Sequence, residues 1–232
     1  MKLQEEDSKI IKAQMTNLKL YGIAAITLWS IVISLSLYVN HQLEAKHLVD
    51  IGTTIARSSF DKDILYRRWN AAQGGVYAKQ SDLTPPNPFL NILERDISTP
   101  LGTKLTMVNP AYMTRQVHEL GQQENGIQGH ITSLNPIRPE NKPDLWEKQA
   151  LESFEQGTKE ISSVELMNGQ SYFRWMRPLV TETGCLTCHQ QQGYKVGQIR
   201  GGISQSIPMS LMESILEENR QALLLKHIIL WL

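Results

Sequence analysis

Residues 20–39 carry no charged side chain and are dominated by Ile, Leu, Val, Ala and aromatic residues. Twenty residues of helix rise about 30 Å, enough to cross a bilayer core. The run exceeds the apolar segment of a cleaved signal, and no small-x-small cleavage pattern follows it. It therefore reads as a retained transmembrane helix. Tyr21 and Tyr38 fall at its two ends, where aromatic rings favour the interface. Beyond it, residues 40–72 continue a helical pattern. Leu48, Ile51 and Ile55 are spaced i, i+3, i+7, and Ile64, Leu65 and Trp69 resume the stripe. So narrow a stripe suits a partner helix in a homodimer, or it covers the protein's own sheet. At the other end, residues 220–232 read RQALLLKHIILWL. Two readings stay open there: an amphipathic helix, or the start of a second transmembrane helix.

Between these ends the pattern shortens. Gly74 and Gly75 break the long helix, and Thr84-Pro85-Pro86-Asn87-Pro88 is a stiff extended segment. A short helix is predicted over 89–96, a strand over 103–108, and a helix over 111–120. Residues 121–143 read as loop. Asp144 with Glu147 three positions on forms a capping box, opening a helix that Gly157 stops. Strands over 161–166 and 171–179 flank Asn168-Gly169, a hairpin signal. A last strand spans 200–207, and a helix follows Pro208. The predicted class is α+β: a PAS-like antiparallel sheet with helices across one face.

Composition narrows the function. The 232 residues include 23 basic and 23 acidic side chains, so the zero balance gives nucleic acid no purchase. Lys2, Lys9, Lys12 and Lys19 precede the apolar run, whereas Lys46 and Arg57 follow it. That asymmetry keeps the N-terminus in the cytoplasm and puts the remainder in the periplasm of a bacterial inner-membrane protein.

The only two cysteines lie together in Cys185-Leu186-Thr187-Cys188-His189. Thiols at this spacing reach the two vinyl groups of one haem, and the adjoining imidazole falls under the iron. A redox dithiol would leave His189 without a role. A zinc site would need further ligands at matching spacing, and none exists. The motif predicts one covalently attached haem c, with Cys185 and Cys188 as thioethers and His189 as proximal ligand.

Further motifs carry a resemblance. They run Ala71-Ala72-Gln73-Gly74-Gly75-Val76-Tyr77, then residues 84–88, then Asn109-Pro110-Ala111-Tyr112-Met113-Thr114-Arg115-Gln116. Residues 129–141, Trp146, the Cys-x-x-Cys-His run, residues 193–197 and Arg200-Gly201-Gly202-Ile203-Ser204 complete the series. Across about residues 60 to 210 the chain resembles the periplasmic c-type-haem PAS-like sensor domains found ahead of histidine kinases, chemoreceptors and cyclases. The resemblance implies a PAS-like fold, haem at Cys185, Cys188 and His189, and a sensing role. No kinase, methyl-accepting or cyclase module follows here.

The predicted organisation is a cytoplasmic segment over 1–19, a transmembrane helix over 20–39, and a membrane-proximal helix over 40–72. A haem sensor domain over 73–208 and a C-terminal helix over 209–232 complete it. Met113 is the first candidate for a distal iron ligand, ahead of Met107, Met176, His118 and His130. Arg174, Arg177 and Arg200 are candidate propionate partners, with Arg68, Arg115 and Arg138 as further options. The function expected is a sensor of redox state or of a diatomic ligand; the alternative is a membrane-tethered monohaem electron carrier. No acid–base constellation points to an enzyme.

Overall fold

The computed structural model describes residues 2–232, without the side chains of residues 2–10, 13, 45, 187, 188, 190, 215, 218 and 219. It forms two compact units: residues 49–212, and a second made of residues 1–48 with 213–232. In chain order the elements are α1 (Lys2–Ala72), β1 (Val76–Lys79), β2 (Asp96–Ser98), β3 (Lys104–Val108), α2 (Pro110–Asn125) and β4 (Gln128–Thr132). Then come α3 (Leu145–Glu155), β5 (Ile161–Met167), β6 (Gln170–Val180), α4 (Leu186–His189), β7 (Ile199–Pro208) and α5 (Met209–Trp231).

The strands of the 49–212 unit make two antiparallel sheets, ordered β1-β3-β2 and β4-β7-β6-β5. The α+β class with antiparallel pairing is as predicted, but the single sheet becomes two. The larger sheet is also covered on both faces rather than one. Residues Tyr172 to Met176 of β6 are buried without alternation, as strands shielded on both sides must be.

The period-two geometry of the strands sorts the two faces. On one, Phe173 and Trp175 meet α1. Phe60 packs edge-on against Trp175 at 5.7 Å, and a side chain at Gly52 would clash with Phe173 at 2.6 Å. On the other, Met176 joins Ala150, Leu151 and Phe154 of α3 in a buried cluster. Gly202 of β7 lies on that side, where a Cβ would stand 2.4 Å from Met176.

Several local expectations hold. Asp144 caps α3 with the reciprocal Glu147 bond, and Asn168 and Gly169 adopt left-handed conformations in the β5–β6 turn. Two do not. Residues 89–96 form no helix: Glu94 has φ of 59°, and the carbonyl of Arg95 instead accepts the Met107 N–H at 2.8 Å. Residues 128–132, read as loop, become β4 because β7 supplies a ladder partner from Gln128↔Ser206 to Thr132↔Gly202.

The second unit pairs α1 with α5. Trp29 Nε1 donates to the Leu230 carbonyl at 2.9 Å, and Trp231 Nε1 donates to Ser30 Oγ at 3.1 Å. His227 Nδ1 lies 2.8 Å from the Leu223 carbonyl and must carry the proton, so Nε2 accepts from Ser36 Oγ at 2.9 Å. Residues Gln14–Ala72 of α1 are long and apolar enough to cross a membrane.

Candidate functional site

β6 and β7 are joined by an excursion pinned at its base. The Thr181 N–H donates to the Gln198 carbonyl at 2.8 Å, and the Gly197 N–H donates to the Thr181 carbonyl at 2.9 Å. Inside this clamp a 3-10 turn, Thr183–Cys185, runs into α4 and thence into a second 3-10 turn, Gln190–Gln192. The Cys185 N–H donates to the Glu182 carbonyl at 2.9 Å, and Cys185 carries a free thiol. The side chain of Cys188 lies outside the described residues.

His189 is held by one neighbour. Gln192 Nε2 donates to the Asn135 carbonyl at 3.2 Å, which turns its amide oxygen toward the ring, 2.6 Å from Nδ1. Nδ1 therefore carries the hydrogen and Nε2 keeps its lone pair. Burial pushes the imidazolium pKa down to about 4, and the charges of Arg200 and Arg67 push it the same way. The ring is neutral at pH 7, the form in which imidazole binds metal.

Two cavities meet at this histidine on the α1 face of the larger sheet. The first is walled by Ile64, Arg67, Arg68 and Ala71 of α1, by Leu179 and Val180, and by Cys185 and His189. The second opens between α2, the 85–92 segment and the 132–141 loop. It shares Asn109, Ala111, Leu179, His189 and Arg200 with the first. A thiol, a neutral imidazole, apolar walls and several guanidinium groups around one space fit the needs of a haem.

The arginines around the first cavity differ in surroundings. Burial lowers the Arg67 pKa. Its Nη1 reaches the Pro110 carbonyl and Thr114 Oγ1, each at 3.4 Å. Arg68 bonds Glu182 at 2.5 Å, on the surface, where such a pair is worth little.

The sequence candidates divide sharply. Arg200 lines both cavities. Arg174 does not: it shares the opposite sheet face with Met176, 2.8 Å from Asp144 and stacked 4.3 Å over Trp146. Arg177 is on the cavity face, yet it bridges Asp61 at 3.6 Å and Glu160 at 3.5 Å, beside Phe60 and Trp175. Met113 lines neither cavity; its sulfur lies 3.8 Å from Asn70 Nδ2. Met176 is buried in the α3 cluster, and Met107 packs beside Gly75.

Both histidine candidates are engaged elsewhere. His118 Nε2 lies 2.7 Å from Asp63 Oδ2, with both groups buried. His130 sits across the sheet, its Nδ1 at 2.9 Å from Glu147 Oε1 and its Nε2 at 3.0 Å from the Glu140 carbonyl. Two acceptors require two donors, so this ring is an imidazolium. Burial disfavours that charge, but the bonds to Glu147 and Glu140 outweigh it and raise the pKa. Glu147 is also opposed by burial, yet His130, Ser204 and the Asp144 N–H hold its carboxyl below the usual range.

Sequence reasoning missed Arg67 and Gln192. Arg67 could have been found: it stands three residues after Ile64 and four before Ala71, on one helix face. Gln192 had no comparable signal, since its role depends on where the chain returns after α4.

A family model described as Tll0287-like matches residues 6–208. The crystal structure of the cyanobacterial haem protein Tll0287 is similar at 16% identity and a TM-score of 0.46. The match covers 68% of this chain and 94% of that chain. No curated protein matches the chain.

Proposed function

The chain belongs to the Tll0287-like family, and on that footing we propose that it is a membrane-anchored, periplasmic c-type haem sensor. It responds to a small ligand or to the redox state of one haem. Cys185 and Cys188 hold the group by thioethers and His189 supplies the proximal nitrogen. The haem supplies an iron centre that changes oxidation state or binds a diatomic ligand.

One observation carries this reading over electron transfer. Among the described residues lining the two cavities, His189 is the only imidazole and there is no methionine. Residues of this kind would hold a haem iron through His189 and leave it accessible to an exogenous ligand. His189 presents Nε2 because Gln192 fixes its ring. Ile64, Ala71 and Leu179 give the space beside it an apolar wall. Arg67 and Arg200 balance negative charge. Four residues of the wall, Ile64, Arg67, Arg68 and Ala71, belong to α1, the helix that also carries the membrane-length apolar run. A rearrangement at the site thus acts on the element proposed to enter the bilayer.

Absorption spectra of the ferric, ferrous and CO-treated full chain test this reading. A ferrous Soret band that moves on CO addition is expected. A ferrous spectrum unchanged by CO, with rapid electron exchange toward soluble cytochromes, would favour the carrier instead. Gln192→Leu removes the acceptor for the His189 N–H. Loss of such an outer partner typically weakens metal binding about 10- to 100-fold. The variant should show a higher midpoint potential and a weaker iron–imidazole stretch by resonance Raman. An unchanged stretch would refute the orienting role.

A further inference from the structure

The loop that walls the second cavity is tied to a titrating side chain on the other face of the larger sheet. Residues 132–141 give that cavity Thr132, Ser133 and Arg138, and the Asn135 carbonyl accepts from the Gln192 amide that orients His189. The loop closes through a 3-10 turn, Pro139–Asn141. There the Asn141 carbonyl accepts from Thr132 Oγ1 at 3.0 Å and from the Ser133 N–H at 3.2 Å. Neither donor titrates.

One further tie does depend on a proton. The Glu140 carbonyl accepts from His130 Nε2 at 3.0 Å, while Nδ1 of the same ring stands 2.9 Å from Glu147 Oε1. The ring is 37% exposed on its side chain, so water can deliver or remove the proton. A neutral His130 has one N–H for these two acceptors. The bond to the carboxylate is charge-assisted and the stronger, so Nδ1 keeps the hydrogen. Nε2 then turns a lone pair on the Glu140 carbonyl, and attraction becomes repulsion. Burial opposes the charge on the ring, but the bonds to Glu147 and Glu140 prevail and raise its pKa. The tie is therefore made below about pH 6.5 and lost as pH rises through the folded value.

The charged groups around the ring are Glu147 and Asp144 of α3, Arg174 of β6, and the Arg138–Glu140 pair at the turn. β7 sets Ser204 opposite it. Behind β4, α2 places His118 against Gly129, bonded to Asp63. Carboxylates and guanidinium groups do not ordinarily change charge between about pH 6 and 9, whereas an imidazole beside them does.

We propose that His130 is a positioning residue for His189: a proton-operated latch that holds the 132–141 loop against β4 and keeps the Asn135 carbonyl in place for Gln192. The part His189 plays at an iron rests on the proposed function; the latch on the loop does not. Asn141 still tethers the loop when the latch opens, so the effect on Gln192 is graded rather than complete.

Amide hydrogen exchange over residues 133–141 reads the latch without haem, in a full chain carrying Cys185→Ala and Cys188→Ala. Corrected for the intrinsic pH dependence of exchange, loop protection should fall about 3- to 10-fold from about pH 5.5 to 8.5, the contribution of one hydrogen bond. His130→Asn keeps a donor at the Nδ1 position and nothing at Nε2, and should show the low protection at both pH values. His130→Arg, a permanent cation with several donors, should show the high protection at both. His41→Gln, at an exposed histidine, should follow the parent. Circular dichroism checks that each variant folds. Parent protection that ignores pH, or a pH dependence that survives in His130→Asn, overturns the latch. In the haem-loaded parent, the ferrous iron–imidazole stretch should shift over the same pH range, and in His130→Asn it should not. A stretch that ignores pH while loop protection changes overturns the positioning role. A parent chain without covalent haem sinks the proposed function instead, and the exchange result alone then decides the latch.

Discussion

A full chain carrying Cys185→Ala and Cys188→Ala will lose all haem on a denaturing gel, whereas the parent band stains for it. The difference should be complete rather than graded, because a thioether cannot form without a thiol. His189 is untouched by the change. Its Gln192 partner and its depressed pKa leave a neutral imidazole able to ligate a loosely held haem. Under native conditions the double variant should therefore bind added haemin, released by acid acetone. Its reduced pyridine spectrum should be that of a haem with intact vinyl groups. Haem that survives denaturation in this variant would refute attachment at the motif.

The largest stability effect is expected at Glu147, on the sheet face away from the cavities. This carboxylate is 2% exposed and serves four groups. It accepts from His130 at 2.9 Å, from Ser204 Oγ at 2.5 Å and from the Asp144 N–H at 3.0 Å, and it lies 3.7 Å from Arg174. Glu147→Ala takes the carboxylate from His130 and leaves Ser204 and the Asp144 N–H without their acceptor, while Arg174 keeps Asp144 at 2.8 Å. Removing one partner of a buried ion pair typically costs about 3–5 kcal/mol. For a unit of this size that is a fall in Tm of roughly 6–20 °C.

The pH dependence of this network has a defined sign. His130 has a raised pKa in the folded chain, so its contribution is full below about pH 6.5 and disappears as pH rises through the folded value. Glu147 has a lowered pKa, so its contribution is full above about pH 4.5 and disappears as pH falls through the folded value. Parent stability relative to Glu147→Ala should therefore peak between those limits in urea titrations. A difference that grows steadily toward alkaline pH would contradict the charged His130–Glu147 pair.

How much of this was legible beforehand depends on the range of the deciding interactions. The family was legible, because its motifs are local and specific, and the family match agrees with them. The long helix, the Asp144 cap and the Asn168-Gly169 turn were legible for the same reason: each is settled by residues within one or two turns of chain. β4 was not. Its sequence, Gln128-Gly129-His130-Ile131-Thr132, has weak strand propensity, and its extended form is set by β7 more than seventy residues later.

Among site residues, the Cys-x-x-Cys-His run was proposed from its spacing, and Cys185 and His189 line the first cavity. Arg174 and Arg177 were chosen for closeness in sequence, and closeness in a strand misleads. Arg174 shares its face with Met176 and points to α3, whereas Leu179 of the cavity wall shares the other face with Arg177. Parity along β6 separates Arg174 from the site, and the Asp61 and Glu160 carboxylates engage Arg177. The residues that do gather at the cavities come from α1, α2, the 132–141 loop and β7, and no single window of sequence contains them.

The α1–α5 contacts near Trp29, Ser36, His227 and Trp231 bear on how that helix pair can move. Each of these bonds is directional and joins fixed positions. Where lipid replaces water, a broken bond finds no substitute partner, so intermediate positions are penalised. Sliding one helix along the other would bring equivalent side-chain positions back only after about one turn, roughly 5.4 Å. Were the pair held in lipid, small piston-like displacements would break these bonds and cost more than displacement by a whole turn.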